Sequence, residues 1–80
     1  MISESDKKYL AQLASRIRTL RKEKGIKQYD FDVTVKTIQR IENQKDSFNP
    51  TYLTLIKISD TLGITVSELL DFSNEITPIQ

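Results

Sequence analysis

Residues 28–43 read QYDFDVTVKTIQRIEN, and the fold turns on how this stretch is divided. Thr34 is a good N-cap residue, and the run behind it has helical spacing. On a helical wheel Ile38 and Ile41 point one way, while Lys36, Gln39, Arg40 and Asn43 cluster on the opposite side. That outer face carries two cations and no acid, and Glu42 falls nearer the core side. Residues 28–32 leave room only for a very short helix before Thr34. Such a cationic face is either a solvated surface or a surface that meets a polyanion.

Upstream, Leu10, Leu13, Ala14, Ile17 and Leu20 recur at three- and four-residue spacing and predict one amphipathic helix. Ser3 or Ser5 caps it, with Asp6 in the first turn, and Gly25 ends it with Lys22 and Lys24 at the negative end of the dipole. Downstream, the spacing predicts a helix capped by Asn49 with Pro50 at its first position, closed by Gly63. Its expected buried stripe is Tyr52, Leu55, Ile56, Ser59 and Leu62, flanked by Leu53 and Ile58. Leu53 is either a lone surface leucine or part of an exposed patch. Thr65 and Glu68 form a capping box for a last short helix, with Val66, Leu69 and Leu70 expected to point inward. The pattern holds no strand-period segment and no repeat. The reading is all-α, with one domain over residues 1–72 and a short C-terminal tail, 73–80.

The chain has 80 residues, no cysteine and no histidine. It can bury one modest core, with neither disulfides nor thiolate metal sites to supplement it. No cofactor or metal is implied. An enzyme is not expected, because no nucleophile–base pair can be assembled without histidine or cysteine, and two glycines make no phosphate-cradling loop. The N-terminus MISESDKKYL lacks the apolar region of a signal peptide, and no apolar run approaches the ~20 residues of a membrane helix. A cytoplasmic protein is expected. Net charge is +1, but Lys7 to Lys45 holds eleven Lys/Arg against four Asp/Glu, a balance of +7, whereas the remainder is acidic. A basic N-terminal half points to a polyanionic partner as readily as to a lysine-rich solvated helix.

Three segments in order, LRKEKGIKQ (20–28), TVKTIQRIEN (34–43) and NPTYLTLIKISDTLGITVSELL (49–70), resemble the phage-repressor/Cro-like helix-turn-helix family, also called the XRE family. The resemblance implies a compact five-helix bundle of the lambda-repressor type that reads the major groove with residues 34–43. It places Val35, Lys36, Thr37 and Arg40 against base edges, and Gln28, Thr34, Asn43 and Lys45 against phosphates. It also pairs Arg21 with Glu42 as a largely buried ion pair. The implied function is sequence-specific binding of double-stranded DNA by a small transcriptional regulator of repressor type. The resemblance further implies a dimer; a homodimer on a palindromic operator is expected because one short helix contacts too few bases, with an interface expected at the last helix around Val66–Phe72 and the tail to Ile79.

The chain departs from the family pattern in the second helix, which is about four residues short, or roughly one turn and 6 Å. Phe31 is expected to fill the space of a lost leucine, and Asp32 to take the left-handed turn conformation of a lost glycine. Gln44 stands where a glycine commonly ends the recognition helix. The alternative reading is an antitoxin-like protein-interaction module on the same fold, holding a partner such as a toxin, with DNA binding secondary.

Overall fold

The computed structural model describes residues 3–44 and 48–72. Four α-helices and one turn of 3-10 helix form the molecule: α1 (Glu4–Glu23), the 3-10 turn (Gln28–Asp30), α2 (Val35–Asn43), α3 (Tyr52–Leu62) and α4 (Val66–Leu69). The expected five-helix order is therefore present, with its second member reduced to a single turn.

Local chemistry sets most of these boundaries. Ser3 accepts from the Asp6 amide and Asp6 returns the contact to the Ser3 amide, a closed capping box for α1. Thr34 caps α2 by accepting from the Thr37 amide at 3.2 Å. The Thr65–Glu68 box caps α4. α3 differs from the expectation: its N-cap is Thr51, which accepts from the Thr54 amide at 3.2 Å, and Asn49 is not the cap. Pro50 is buried just ahead of the cap, and the helix begins at Tyr52, two residues after the proline rather than at it.

Leu13, Ile17, Phe31, Ile38, Ile41, Ile58, Leu62 and Leu69 make the core, contributed by all four helices and the Phe31 linker. Phe31 fills the gap beside the shortened turn and is 5% exposed. Two expectations about α3 are corrected. Tyr52 is exposed and Ile58 is fully buried, so the stripe is Leu55, Ile58, Ser59 and Leu62, and the first turn lies at the solvent rim. The buried Ser59 hydroxyl donates to the Ile56 carbonyl, which satisfies it. Leu70, expected inside, is 41% exposed, because α4 ends at Leu69 and the chain turns outward.

Asp32 does not take the left-handed conformation. Among the described residues the non-glycine with positive φ is Gln44, at φ 54°. Its backbone costs about 1–2 kcal/mol relative to glycine. The side chain offsets part of this by donating from Nε2 to the Ile41 carbonyl at 2.9 Å, which satisfies an orphan acceptor at the end of α2. One further contact was not legible in the sequence. Arg16 on α1 donates from Nε to Leu69 O and from Nη2 to Glu68 O, clamping the carbonyl end of α4 to α1.

Candidate nucleic-acid interface

The orientation of α2 is set by an ion pair. Arg21 donates from Nε to Glu42 Oε2 at 2.8 Å and from Nη2 to Oε1 at 3.0 Å. Its Nη1 donates to the Ile26 carbonyl. The two side chains are 12% and 4% exposed, so the pair is nearly dry and joins α1, the following loop and α2 at fixed geometry. Arg is suited to this because its planar fork matches both carboxylate oxygens at once. Gln28 Nε2 adds a third donor to Glu42 at 3.2 Å, and Gln39 Nε2 donates to Gln28 Oε1 at 3.4 Å. Glu42 thus anchors the 3-10 turn and α2 together.

With Ile38 and Ile41 fully buried, the opposite side of α2 is presented outward. Lys36, Gln39, Arg40 and Asn43 are all exposed, and Val35 is exposed beside them at the start of the helix. This row carries positive charge and amide groups, the donors and acceptors suited to phosphates and base edges. The Arg40 guanidinium lies over the Phe48 ring, 4.2 Å from its centroid. The aromatic face restricts the orientation of Arg40. Phe48 was not singled out in the sequence as a site residue.

The expected site residues do not all behave alike. Val35, Lys36, Arg40 and Asn43 lie together on the exposed side of α2. Gln28 meets this surface from the 3-10 turn, its amide oriented by Glu42 and Gln39. Thr37 is half-buried, and its hydroxyl lies 2.8 Å from that of Thr34 within the helix cap. Lys45 lies outside the described residues. Gln39, absent from the expected contacts, is brought to the site by its bond to Gln28. Its position on the outer face of the wheel was the available signal.

A short helix presenting a cationic face, fixed against a preceding turn and packed on a helical core, defines a helix-turn-helix domain of the DNA-binding class. A helix-turn-helix family model matches residues 17–69, most of the chain. The protein belongs to the XRE-type helix-turn-helix family, a family of DNA-binding, non-enzymatic domains. No curated protein and no solved structure matches it. Among the described residues no helix is long and apolar enough to cross a membrane.

Proposed function

We propose that the protein is a sequence-specific, repressor-type transcriptional regulator that reads double-stranded DNA with α2 in the major groove. The observation that carries this is the exposed row Lys36–Gln39–Arg40–Asn43, free of acidic side chains, on a helix locked to α1 by the Arg21–Glu42 pair. Lys36 and Arg40 are assigned to guanine N7 and O6, and Val35 to a thymine methyl. Thr37 stands on the same helix as a fourth base-facing residue. Thr34 at the N-terminus of α2, Gln28, Asn43 and Lys45 are assigned to phosphates.

A salt titration of binding to random-sequence duplex tests the DNA reading. Affinity should fall steeply as salt rises, because each neutralised phosphate releases condensed counterion. Absence of saturable binding at low salt contradicts it and leaves the antitoxin-like interaction module as the reading.

Gln28→Ala should weaken binding to all sequences to the same degree, since a phosphate contact positions the protein without reading bases. Gln28 is suited to this: one amide hydrogen faces Glu42, and the second is available to an anion. Competition between selected and random duplexes checks it. A loss confined to the selected sequence would make Gln28 a base reader instead.

We further propose a homodimer on DNA, because one short helix contacts too few bases to select a site in a genome. The half-buried Val66 and Phe72 and the exposed Leu70 offer apolar surface at the α4 end for the interface. Sedimentation of the complex should give two chains per site, and one chain per specific site overturns the dimer.

A further inference from the structure

Gln44 ends α2 in the left-handed conformation, with φ 54° and ψ 26°. Glycine takes this conformation without steric cost, whereas a residue with a side chain is strained there. The strained side chain makes contacts that a glycine would lack. Its Nε2 donates to the Ile41 carbonyl at 2.9 Å, within α2, and to the Phe48 carbonyl at 3.4 Å, in the segment that leads to α3. The backbone amide of Gln44 donates to the Arg40 carbonyl at 3.2 Å. One residue therefore ties the last turn of α2 to the backbone of Phe48.

The tether places an aromatic ring. Phe48 is half-buried and packs against the core cluster. The Arg40 guanidinium lies over its ring, and Arg40 itself is exposed on the outward row of α2. The ring is thus held by the core on one hand and through its own backbone by Gln44 on the other. An arginine on a helix surface samples many rotamers, and ordering it on binding costs free energy. A fixed ring attracts the cation and narrows that set before DNA arrives. Two-point recognition of a guanine edge depends on the plane and direction of the guanidinium fork. The gain from positioning therefore falls on discrimination at one base pair. Lys36 stands one turn nearer the N-terminus on the same row and is the internal comparison.

We propose that Phe48, tethered by Gln44, is a positioning residue that sets the base discrimination of Arg40. This rests on the reading of Arg40 as a base contact, and it adds to the determinants of specificity a residue outside α2.

The test uses the full chain and its Phe48→Leu, Phe48→Tyr, Gln44→Gly and Arg40→Ala variants, with Phe48→Leu also made in the Arg40→Ala background. Binding is measured on the selected duplex and on duplexes changed at one base pair at a time, and stability by chemical denaturation. Phe48→Leu keeps an apolar side chain against the core but removes the ring. It should lower discrimination at the base pair that Arg40→Ala relaxes by roughly three- to tenfold, the range for ordering one long side chain. Discrimination at the base pair read by Lys36 should not change. Phe48→Tyr keeps the ring and should keep wild-type discrimination. Gln44→Gly relieves the strained backbone and loses the tether, so its denaturation midpoint should stay near wild type while discrimination at the Arg40 base pair falls. In the Arg40→Ala background Phe48→Leu should have no further effect on discrimination. An even loss on every duplex, or a loss that adds to that of Arg40→Ala, would make Phe48 a packing residue and overturn the proposal. Equal losses in Phe48→Leu and Phe48→Tyr would overturn the role of the ring, and wild-type discrimination in Gln44→Gly would overturn the tether. If Phe48→Leu does not fold, Gln44→Gly decides alone. If Arg40→Ala itself relaxes no base pair, the reading of Arg40 as a base contact fails, and the proposal falls with it.

Discussion

Glu42→Ala is expected to destabilise the fold by about 3–5 kcal/mol, the cost of breaking a buried pair from one side. The carboxylate accepts from Arg21 Nε, Arg21 Nη2 and Gln28 Nε2, and its side chain is 4% exposed. Alanine removes all three acceptor contacts together and leaves the guanidinium, 12% exposed, with only the Ile26 carbonyl as a partner. Water cannot fully replace the carboxylate, because the neighbouring Ile41 and Leu20 belong to the core and its margin. A surface pair would lose at most about 1 kcal/mol. The two cases are separated by the midpoint of chemical denaturation. A midpoint close to wild type would mean that the pair does not fix α2 on α1, and the orientation assigned to Lys36 and Arg40 would lose its support. Glu42→Gln should fall between, because an amide keeps one acceptor but turns its own N–H groups toward the guanidinium.

The second large effect is on recognition. Lys36→Ala and Arg40→Ala should each weaken binding to the selected sequence by about 1–3 kcal/mol and relax preference at one base pair. Both residues are exposed and neither belongs to the core, so their loss should leave the fold intact. Arg40 should give the larger loss, since its guanidinium is already oriented by the Phe48 ring and less freedom is lost on binding. Binding measured on selected and random duplexes in parallel separates base reading from charge. Equal small losses on every sequence would make both residues backbone contacts.

The parts of the fold that rest on local chemistry were legible in the sequence. Ser3, Thr34 and Thr65 act as caps because a side-chain oxygen three residues ahead of an amide is a local geometry. Phe31 could be expected in the core because a lost turn leaves a space that a large apolar side chain fills. The start of α3 was expected at Asn49 before Pro50, but Thr51 is the residue that accepts from the Thr54 amide. The phase of α3 was ambiguous because Tyr52, Leu53, Leu55, Ile56, Ile58 and Leu62 place apolar groups on nearly every side of it. Asp32 had the composition of a left-handed turn residue but does not adopt that conformation; the left-handed residue is Gln44 at the other end of α2, whose side chain bonds the Ile41 carbonyl.

The site divides in the same way. The outward row of α2 follows from its periodicity, and the Arg21–Glu42 pair from the resemblance together with the core-side position of Glu42. The Gln28–Gln39 bond and the Arg40–Phe48 stack each join one element to another. No periodicity within one helix encodes them.

The most direct test of DNA reading by α2 is selection of bound sequences from a random duplex pool with the full chain. Enrichment of a palindromic motif is expected, with half-sites about 10–10.5 base pairs apart, centre to centre, or a multiple of that spacing. Recovery of bound duplexes with no enriched motif, or of none at all, would contradict sequence-specific recognition by α2.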